Sequence, residues 1–173
     1  RNNDGLTGEN PSVGCVVTKN NTIISSGVTS YDGRPHAEKN ALQKLKNKAK
    51  NSTIYLTMEP YTHYGKTPPC TDIIVKSKIS RVVYSVEDKD ERTANKASKQ
   101  LKSKGINVTN SICRNEVKNF YKKYFFNKKK KMPYVVGKIA CSKDNFIKSK
   151  KNKYITNEHS LNVSQLLRYR NQG

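Results

Sequence analysis

The sequence predicts an α/β protein in which helices pack on the faces of a single sheet. The first observation is that short β-rich segments alternate with segments of helical periodicity along most of the chain. The second is that hydrophobic residues make up 34% of the 173 residues, which is lean but enough for one core of ordinary size. No internal repeat is visible, so a repeat architecture is not expected.

The elements follow one another in a regular order. Val13–Val17 is apolar and Thr22–Ser26 is β-rich, and the polar Lys19-Asn20-Asn21 between them indicates a hairpin. Ala41, Leu42 and Leu45 then fall at helical spacing, which predicts a helix over about 36–47. The later segments predict, in order, a strand at 53–58, a helix at 70–79, a strand at 81–86, a helix at 94–104, a strand at 106–108, a helix at 116–126 and a strand starting within 134–140.

Two loops carry signals of their own. The polar loop 60–69 ends in Pro68-Pro69, and since proline is favoured where a helix begins, Cys70 is predicted in a first helical turn. The four lysines at 128–131 predict a solvated, hinge-like segment after the last helix.

The formal net charge is +21, from 34 Lys and Arg against 13 Asp and Glu. The excess is mostly Lys and comes with abundant Asn, whereas Arg, which recognises phosphates and bases bidentately, is sparse. A compositional bias on solvated surfaces therefore explains the positive charge better than nucleic-acid binding does. No apolar run of about 18 residues and no signal peptide is present, and the four cysteines are widely spaced. We therefore expect a cytoplasmic protein with reduced thiols and no membrane partner.

Three residues form the strongest candidate for chemistry. His36 and Cys70 each follow a proline at a predicted helix start, where the helix dipole lowers the pKa of a thiol. Catalytic zinc takes three N, S or O ligands and activates a water in the fourth position. Glu38 lies two residues beyond His36 and could carry the proton of that water.

These residues resemble the motif of a known enzyme family. His36-Ala37-Glu38, followed by a proline-flanked cysteine loop, is similar to the zinc nucleobase deaminases. The segments Gly65-Lys66-Thr67-Pro68-Pro69-Cys70 and Asn10-Pro11-Ser12-Val13-Gly14-Cys15 further resemble the bifunctional riboflavin-biosynthesis deaminase/reductase family. The resemblance implies a cytidine deaminase-like three-layer α/β/α sheet that hydrolytically deaminates a phosphoribosylated diaminopyrimidinone, followed by the start of a second, dihydrofolate reductase-like α/β domain.

The resemblance also implies roles for single residues. It makes Glu38 catalytic, His36 and Cys70 zinc ligands, and Asn10, Lys66 and Arg170 substrate contacts. Tyr61 stands where the family has its first zinc cysteine, and a phenol, with an ordinary pKa near 10, is a poorer ligand than a thiolate. Three interpretations stay open: a site completed by Tyr61 or by a rearranged His63, a weak zinc site, or a deaminase that has lost its activity.

The resemblance extends toward the carboxyl end. Lys138–Asp144, Tyr154–Glu158 and Leu167–Arg170 resemble the start of the family's NADPH-dependent reductase, which would place Ala140, Tyr154 and Thr156 at the cofactor. The implied domains are a zinc-dependent deaminase at 1–112 lacking the family's first helix, a linker helix and Lys-rich hinge at 113–132, and the truncated start of the reductase at 133–173. We expect a piece of a longer protein.

Partners and alternatives follow from the same comparison. The expected partner is a small phosphorylated pyrimidine, and the family suggests a homo-oligomer. The two other functions considered are a deaminase-dead paralogue with an impaired zinc site and a basic nucleic-acid-binding relative of the deaminases. The second is disfavoured because eight residues separate Tyr61 from Cys70, whereas polynucleotide deaminases have a two-residue gap between their metal cysteines.

Overall fold

The computed structural model describes residues 3–137, 139, 141–143 and 145–146. Its strands and helices are β1 Gly14–Lys19, β2 Thr22–Val28, α1 Ala37–Leu45, β3 Thr53–Met58, α2 Cys70–Lys76, β4 Arg81–Val86, α3 Ala97–Lys102, β5 Asn107–Thr109, α4 Arg114–Phe120 and α5 Lys122–Lys130. The alternation of strands and helices confirms the α/β class. Within the described ranges, no helix combines the length and the apolar character that a membrane span requires.

The five strands form one mixed sheet in the order β2-β1-β3-β4-β5. β1 runs antiparallel to β2 and β3, whereas β3, β4 and β5 run parallel to one another. Because parallel strands end at the same edge of a sheet, the loops that follow β3 and β4 meet there. These two loops contribute seven residues to the candidate site: Glu59, Tyr61, Gly65, Lys66, Asp88, Asp90 and Arg92.

The hairpin between β1 and β2 forms as predicted. Its two-residue turn is Asn20 and Asn21, with φ values of 49° and 59°. Positive φ at both central residues is the type I′ geometry whose twist matches that of the flanking strands, and Asn tolerates it. The hairpin therefore rests on local turn chemistry as well as on the apolar residues of β1.

The main core lies between the sheet and helices α1, α2 and α3. Its fully buried members come from both layers and include Val17, Ala41, Ile54, Ile74, Val82, Ala97 and Leu101. At Gly27 in β2 a Cβ atom would collide with the carbonyl oxygen of Ala37, so glycine allows α1 to pack directly on that strand. This close packing fixes the start of α1, where His36 and Glu38 lie.

The other face of the sheet is partly open. Val28 and Tyr55 are 43% and 42% exposed there. Together with Val16, Val83 and Ile112 they line an apolar cavity of about 480 Å³.

Helices α4 and α5 pack against the ends of β3 and β4. Met58, Val86 and Tyr121 form a second buried cluster there. Val117, Phe120, Tyr124 and Phe125 surround the cluster.

The Tyr121 hydroxyl donates to the carbonyl of Ser12 at 2.9 Å and lies 2.6 Å from the hydroxyl of Thr57. These contacts connect the last two helices with β3 and with the loop before β1.

Two expectations for this part of the chain were wrong. The single helix predicted at 116–126 is two helices, and the lysines at 128–130 belong to α5 rather than to a hinge. The described residues of 134–140 form no strand, while Lys138 and Ala140 lie outside the described residues. Tyr124 and Phe125 form the aromatic face of α5, which packs on the second buried cluster. This packing stabilises the helix, which therefore continues through the lysines at 128–130.

Candidate metal centre and substrate pocket

The three residues singled out from the sequence lie together in the structure. His36 occupies the N-cap position of α1, Glu38 lies in its first turn, and Cys70 is the first residue of α2. One ligand atom from each lies within 4.8 Å of the other two, and His36 Nδ1 is 3.2 Å from Cys70 Sγ. The packing of α1 against α2 thus brings two distant motifs into one cluster.

The donors suit zinc in kind, and His36 also suits it in protonation. An imidazole nitrogen, a thiol sulfur and a carboxylate oxygen are the ligand types that zinc binds in proteins. Burial, followed by the positive charge of Arg34, lowers the pKa of His36 to about 4, so the ring is neutral at pH 7 and has a lone pair to donate. The residues therefore fit a zinc ion.

The pKa of the Cys70 thiol is shifted in the direction opposite to the predicted one. The start of α2 was predicted to lower the pKa of the thiol. Burial and the neighbouring carboxyl group of Glu38 instead raise it well above its ordinary value. Desolvation of the thiolate outweighs the dipole of a seven-residue helix, and a bound cation would be needed to reverse the balance.

Glu38 is almost fully buried, with 3% of its surface exposed. Burial raises its pKa above the ordinary range, although its backbone and Cys70 hydrogen bonds oppose the shift. A carboxyl group whose pKa is raised toward neutrality can accept and return a proton at physiological pH. The environment of Glu38 thus suits the proton-carrying role predicted for it.

Tyr61 lies beside the cluster but its hydroxyl group has another partner. The ring meets His36 edge-on, with 5.4 Å between centroids, and the Oη atom is 2.6 Å from Nε2 of His63. His63 lies in turn 3.4 Å from the hydroxyl of Thr93 through Nδ1. A Cβ atom at Gly65 would lie 2.5 Å from the same phenol oxygen, so glycine makes room for it. His63 is not part of the three-residue group.

A pocket of about 460 Å³ opens over the cluster. His36, Glu38 and Tyr61 line it, and so do Asn10 and Lys66, two of the three substrate contacts expected from the resemblance. The structure thus places these five residues around one cavity, with Cys70 Sγ 3.2 Å from His36 Nδ1.

Asn10 is held at the pocket by a tight turn. Its side-chain amide donates to the carbonyl of Gly33 at 3.4 Å, and Thr7 donates from its hydroxyl to the Asn10 carbonyl at 2.6 Å. Gly33 has a φ of +80°, and a Cβ atom there would collide with the Asn10 amide. Glycine is therefore required at residue 33 for Asn10 to keep this position.

A buried carboxylate joins the two loops that frame the site. Glu59, directly after β3, accepts hydrogen bonds from the backbone N–H groups of Asp88 at 3.2 Å and of Asn95 and Ala97 at 3.0 Å each. Burial raises the pKa of Glu59, while these amides act in the opposite direction. The loop after β4 is thereby fixed against the end of β3.

Sequence reasoning missed several charged residues that line the same pocket. These are Arg34, Asp88, Arg92 and Lys128. A signal was present for Lys128, because it follows Tyr121 by seven residues and Tyr124 by four, and therefore lies on the packed face of α5. Its assignment to a solvated linker was wrong for this reason.

The remaining expected site residues cannot be placed on this cavity. Arg170, Ala140, Tyr154 and Thr156 lie outside the described residues.

Comparison with known proteins gives concordant results. Residues 2–86 match the family of the cytidine and deoxycytidylate deaminase zinc-binding region. The riboflavin biosynthesis protein RibD of Aquifex aeolicus is 37% identical over 166 residues, which are 95% of this chain and 47% of that protein. RibD of Escherichia coli is 34% identical over 164 residues, which are 94% of this chain and 45% of that protein.

A solved structure agrees with the sequence comparison. The crystal structure of a diaminohydroxyphosphoribosylaminopyrimidine deaminase/5-amino-6-(5-phosphoribosylamino)uracil reductase from Thermotoga maritima superposes with a TM-score of 0.85 at 34% identity. The aligned region is 94% of this chain and 48% of that one. The chain thus spans about half the length of the curated relatives it matches.

Proposed function

The chain belongs to the zinc-binding deaminase family, on the branch of the RibD riboflavin-biosynthesis proteins, and from this premise we propose that it hydrolytically deaminates a phosphoribosylated diaminopyrimidinone. The observation that carries the proposal is the group of His36, Glu38 and Cys70, two of which, His36 and Glu38, line a pocket of about 460 Å³. The pocket has room for a pyrimidine with a sugar phosphate.

His36 and Cys70 would hold the metal ion. When bound there, zinc supplies the positive charge that lowers the pKa of a water molecule to about 7. His36 is ready for this role because its ring is neutral, whereas Cys70 must give up its proton when the metal enters.

Glu38 would move the proton during the reaction. Its carboxylate accepts a proton from the attacking water and passes it to the exocyclic amine nitrogen, which leaves as ammonia while the ring carbon gains oxygen. Burial of Glu38 supports this assignment, because it brings the affinities of carboxylate and amine for the proton closer together.

Asn10 and Lys66 would orient the substrate. The Asn10 amide is held at the pocket by the turn at Gly33 and can hydrogen-bond to the pyrimidine ring. Lys66 is exposed at the pocket and offers a point charge to the phosphate group. Together they would bind both ends of one small molecule, so we propose a small-molecule partner rather than a nucleic acid.

The remaining assignments extend the proposal to the wider protein. We propose that residues 1–112 form the deaminase domain, that 113–132 connect it to a reductase, and that 133–173 begin that NADPH-dependent domain, with Ala140, Tyr154 and Thr156 near the cofactor and Arg170 near the substrate. We further propose a cytoplasmic homo-oligomer. The four free cysteines support a reducing compartment.

Substitution of Glu38 by Gln tests the mechanism. Purified parent protein should contain stoichiometric zinc and release ammonia from the substrate. Glu38→Gln should keep the metal and lose at least about a hundredfold in kcat, because the proton carrier is gone. Elemental analysis and an ammonia assay measure the two properties separately.

Three variants complete this test. His36→Ala and Cys70→Ala should lose the zinc, whereas Glu91→Gln, a matched change at an exposed residue outside the pocket, should keep both properties. Normal turnover by Glu38→Gln would refute the mechanism, and a parent protein without zinc or ammonia release would refute the proposed function.

A further inference from the structure

The carboxylate of Asp90 is bracketed by two cations from different elements. Arg92, in the loop after β4, donates to Asp90 through Nε at 2.8 Å and through Nη2 at 2.6 Å. Lys128, on α5, places its Nζ atom 3.7 Å from Oδ2 of the same carboxylate. These charges hold the pKa of Asp90 far below its usual range, so Asp90 is ionised and both cations stay beside it.

Each cation keeps hydrogen-bonding capacity for a ligand. Arg92 uses one edge of its guanidinium on Asp90, and in the part of the chain that the structure describes no acceptor takes a hydrogen bond from Nη1. The Lys128 ammonium makes one long ion pair and lies 5.5 Å from the centre of the Tyr124 ring. Since an ammonium has three donors, most of them are unused by this geometry.

The neighbouring carboxylates are already engaged. Asp88 accepts hydrogen bonds from the backbone N–H groups of Lys89 at 2.7 Å and Asp90 at 3.1 Å, and from the hydroxyl of Tyr124 at 3.0 Å. Of these two carboxylates, that of Asp90 contacts both cations. The hydrogen bonds of Asp88 direct it toward its own loop and Tyr124, so Arg92 and Lys128 share Asp90 alone as their carboxylate partner among the described residues.

The position of the pair relative to the cluster is informative. Arg92 and Lys128 line the same cavity as Glu38 and Tyr61, and Lys66 lines it as well. Only 23% of the Lys128 side chain is exposed, although the lysines that follow it, Lys129 and Lys130, are exposed. Lys128 therefore faces the cavity and is not one of the many solvent-facing lysines.

We propose that Arg92 and Lys128, held in place by Asp90, complete with Lys66 the subsite for the phosphate monoester of the substrate, facing the same cavity as the reacting ring. This inference rests on the proposed function and assigns to α5 a part in substrate specificity. Arg92 supplies a planar donor edge and Lys128 a mobile point charge, a combination suited to a phosphate with several acceptor oxygens.

Calorimetric titration with ribose 5-phosphate tests the subsite directly, with ribose as the ligand without phosphate. The parent protein should bind ribose 5-phosphate more tightly than ribose, and added salt should weaken the binding. Lys128→Met and Arg92→Gln should each weaken binding of ribose 5-phosphate about tenfold, because each removes a charge-assisted contact. Lys130→Met, on the same helix and exposed, is the matched control and should bind as the parent does.

Kinetics separate this inference from the proposed function. With the phosphorylated pyrimidine, Lys128→Met should raise KM about tenfold with little change in kcat, since the residue is remote from the reacting atoms. If the parent binds ribose 5-phosphate through Lys128 but releases no ammonia, the subsite stands and the deaminase proposal fails. If Lys128→Met and Arg92→Gln bind ribose 5-phosphate as tightly as the parent, or if the parent does not bind it, the inference is overturned.

Discussion

Tyr61 shows how far one side chain can change a metal site. The resemblance led us to expect a zinc cysteine at residue 61, but the tyrosine ring found there extends past His36 to reach His63. A cysteine sulfur is one bond from Cβ, whereas the phenol oxygen lies across an aromatic ring, so the two donors cannot occupy the same point. The hydroxyl–imidazole pair would have to break before Tyr61 could bind a metal.

Replacing Tyr61 with Cys should therefore strengthen zinc binding. A thiolate at this position adds a short, soft ligand to those of His36 and Cys70, and the zinc dissociation constant should fall by roughly tenfold or more. Competition with a chromophoric chelator measures the constant. The matched control is Tyr64→Cys in the same loop, because Tyr64 is 76% exposed and bonds to Asp72 rather than to the cluster. Unchanged affinity in Tyr61→Cys would show that Tyr61 already provides an equivalent ligand.

At the scale of elements, the loops after β3 and β4 depend on each other through Glu59. Three backbone N–H groups donate to the carboxylate of Glu59, and these hydrogen bonds fix the conformation of the loop after β4. Asp88, Asp90 and Arg92 belong to this loop and line the pocket. The geometry of the pocket thus depends on a residue that does not take part in the proposed chemistry.

Glu59→Gln should destabilise the fold by about 1.5–3 kcal/mol, because the new amide group turns a donor toward backbone donors and leaves at least one of them unsatisfied. Urea denaturation followed by circular dichroism gives the free energy of unfolding. Glu91→Gln, an exposed change in the same loop, should alter it by less than about 0.5 kcal/mol. Equal stability of Glu59→Gln and parent would mean that water satisfies these amides.

Much of the element order could be predicted from local patterns. Strands β3 and β4 were predicted with the bounds that the structure has, because their apolar residues are bordered by clear turn signals. The start of α2 at Cys70 followed from Pro68-Pro69. The break between α4 and α5 had no local signal, since the aromatic residues continue at helical spacing through it.

The site was predictable only where a motif marks it. His36, Glu38 and Cys70 belong to recognisable segments, and packing of α1 on α2 then determines their distances. Arg92 and Lys128 carry no motif. Arg92 lies two residues from Asp90 in the same loop, whereas the proximity of Lys128 to Asp90 depends on how α5 docks on the sheet. The hydrogen bond between Tyr61 and His63 likewise depends on the path of the loop, which composition does not determine.

At the scale of the whole molecule, Tyr121 joins segments that are far apart in the chain. Its hydroxyl contacts Ser12 and Thr57, and its ring packs on Met58 and Val86. The pocket is closed on one side by α5, which this tyrosine helps to anchor. The proposed deaminase site thus depends on helices that follow residue 112.

Tyr121→Phe should lower the free energy of unfolding by about 1–2 kcal/mol, because it removes two hydrogen bonds from a buried position without changing the packing of the ring. Thermal unfolding should show the corresponding drop in Tm. Tyr31→Phe is the control, since Tyr31 is 74% exposed. Identical Tm values for Tyr121→Phe and parent would show that the aromatic cluster alone anchors the helices.

The contact between Tyr61 and His36 has a spectroscopic consequence. The chain has ten tyrosines and no tryptophan, so tyrosine dominates its intrinsic fluorescence and no indole emission masks it. The Tyr61 ring meets the imidazole that would bind the metal and shares a hydrogen bond with His63. A cation arriving at His36 changes the surroundings of that ring, and the resulting change in fluorescence should be lost in a Tyr61→Phe variant, which lacks this tyrosine fluorophore. The protein therefore contains its own optical probe for metal entry, which needs neither an added label nor a substrate.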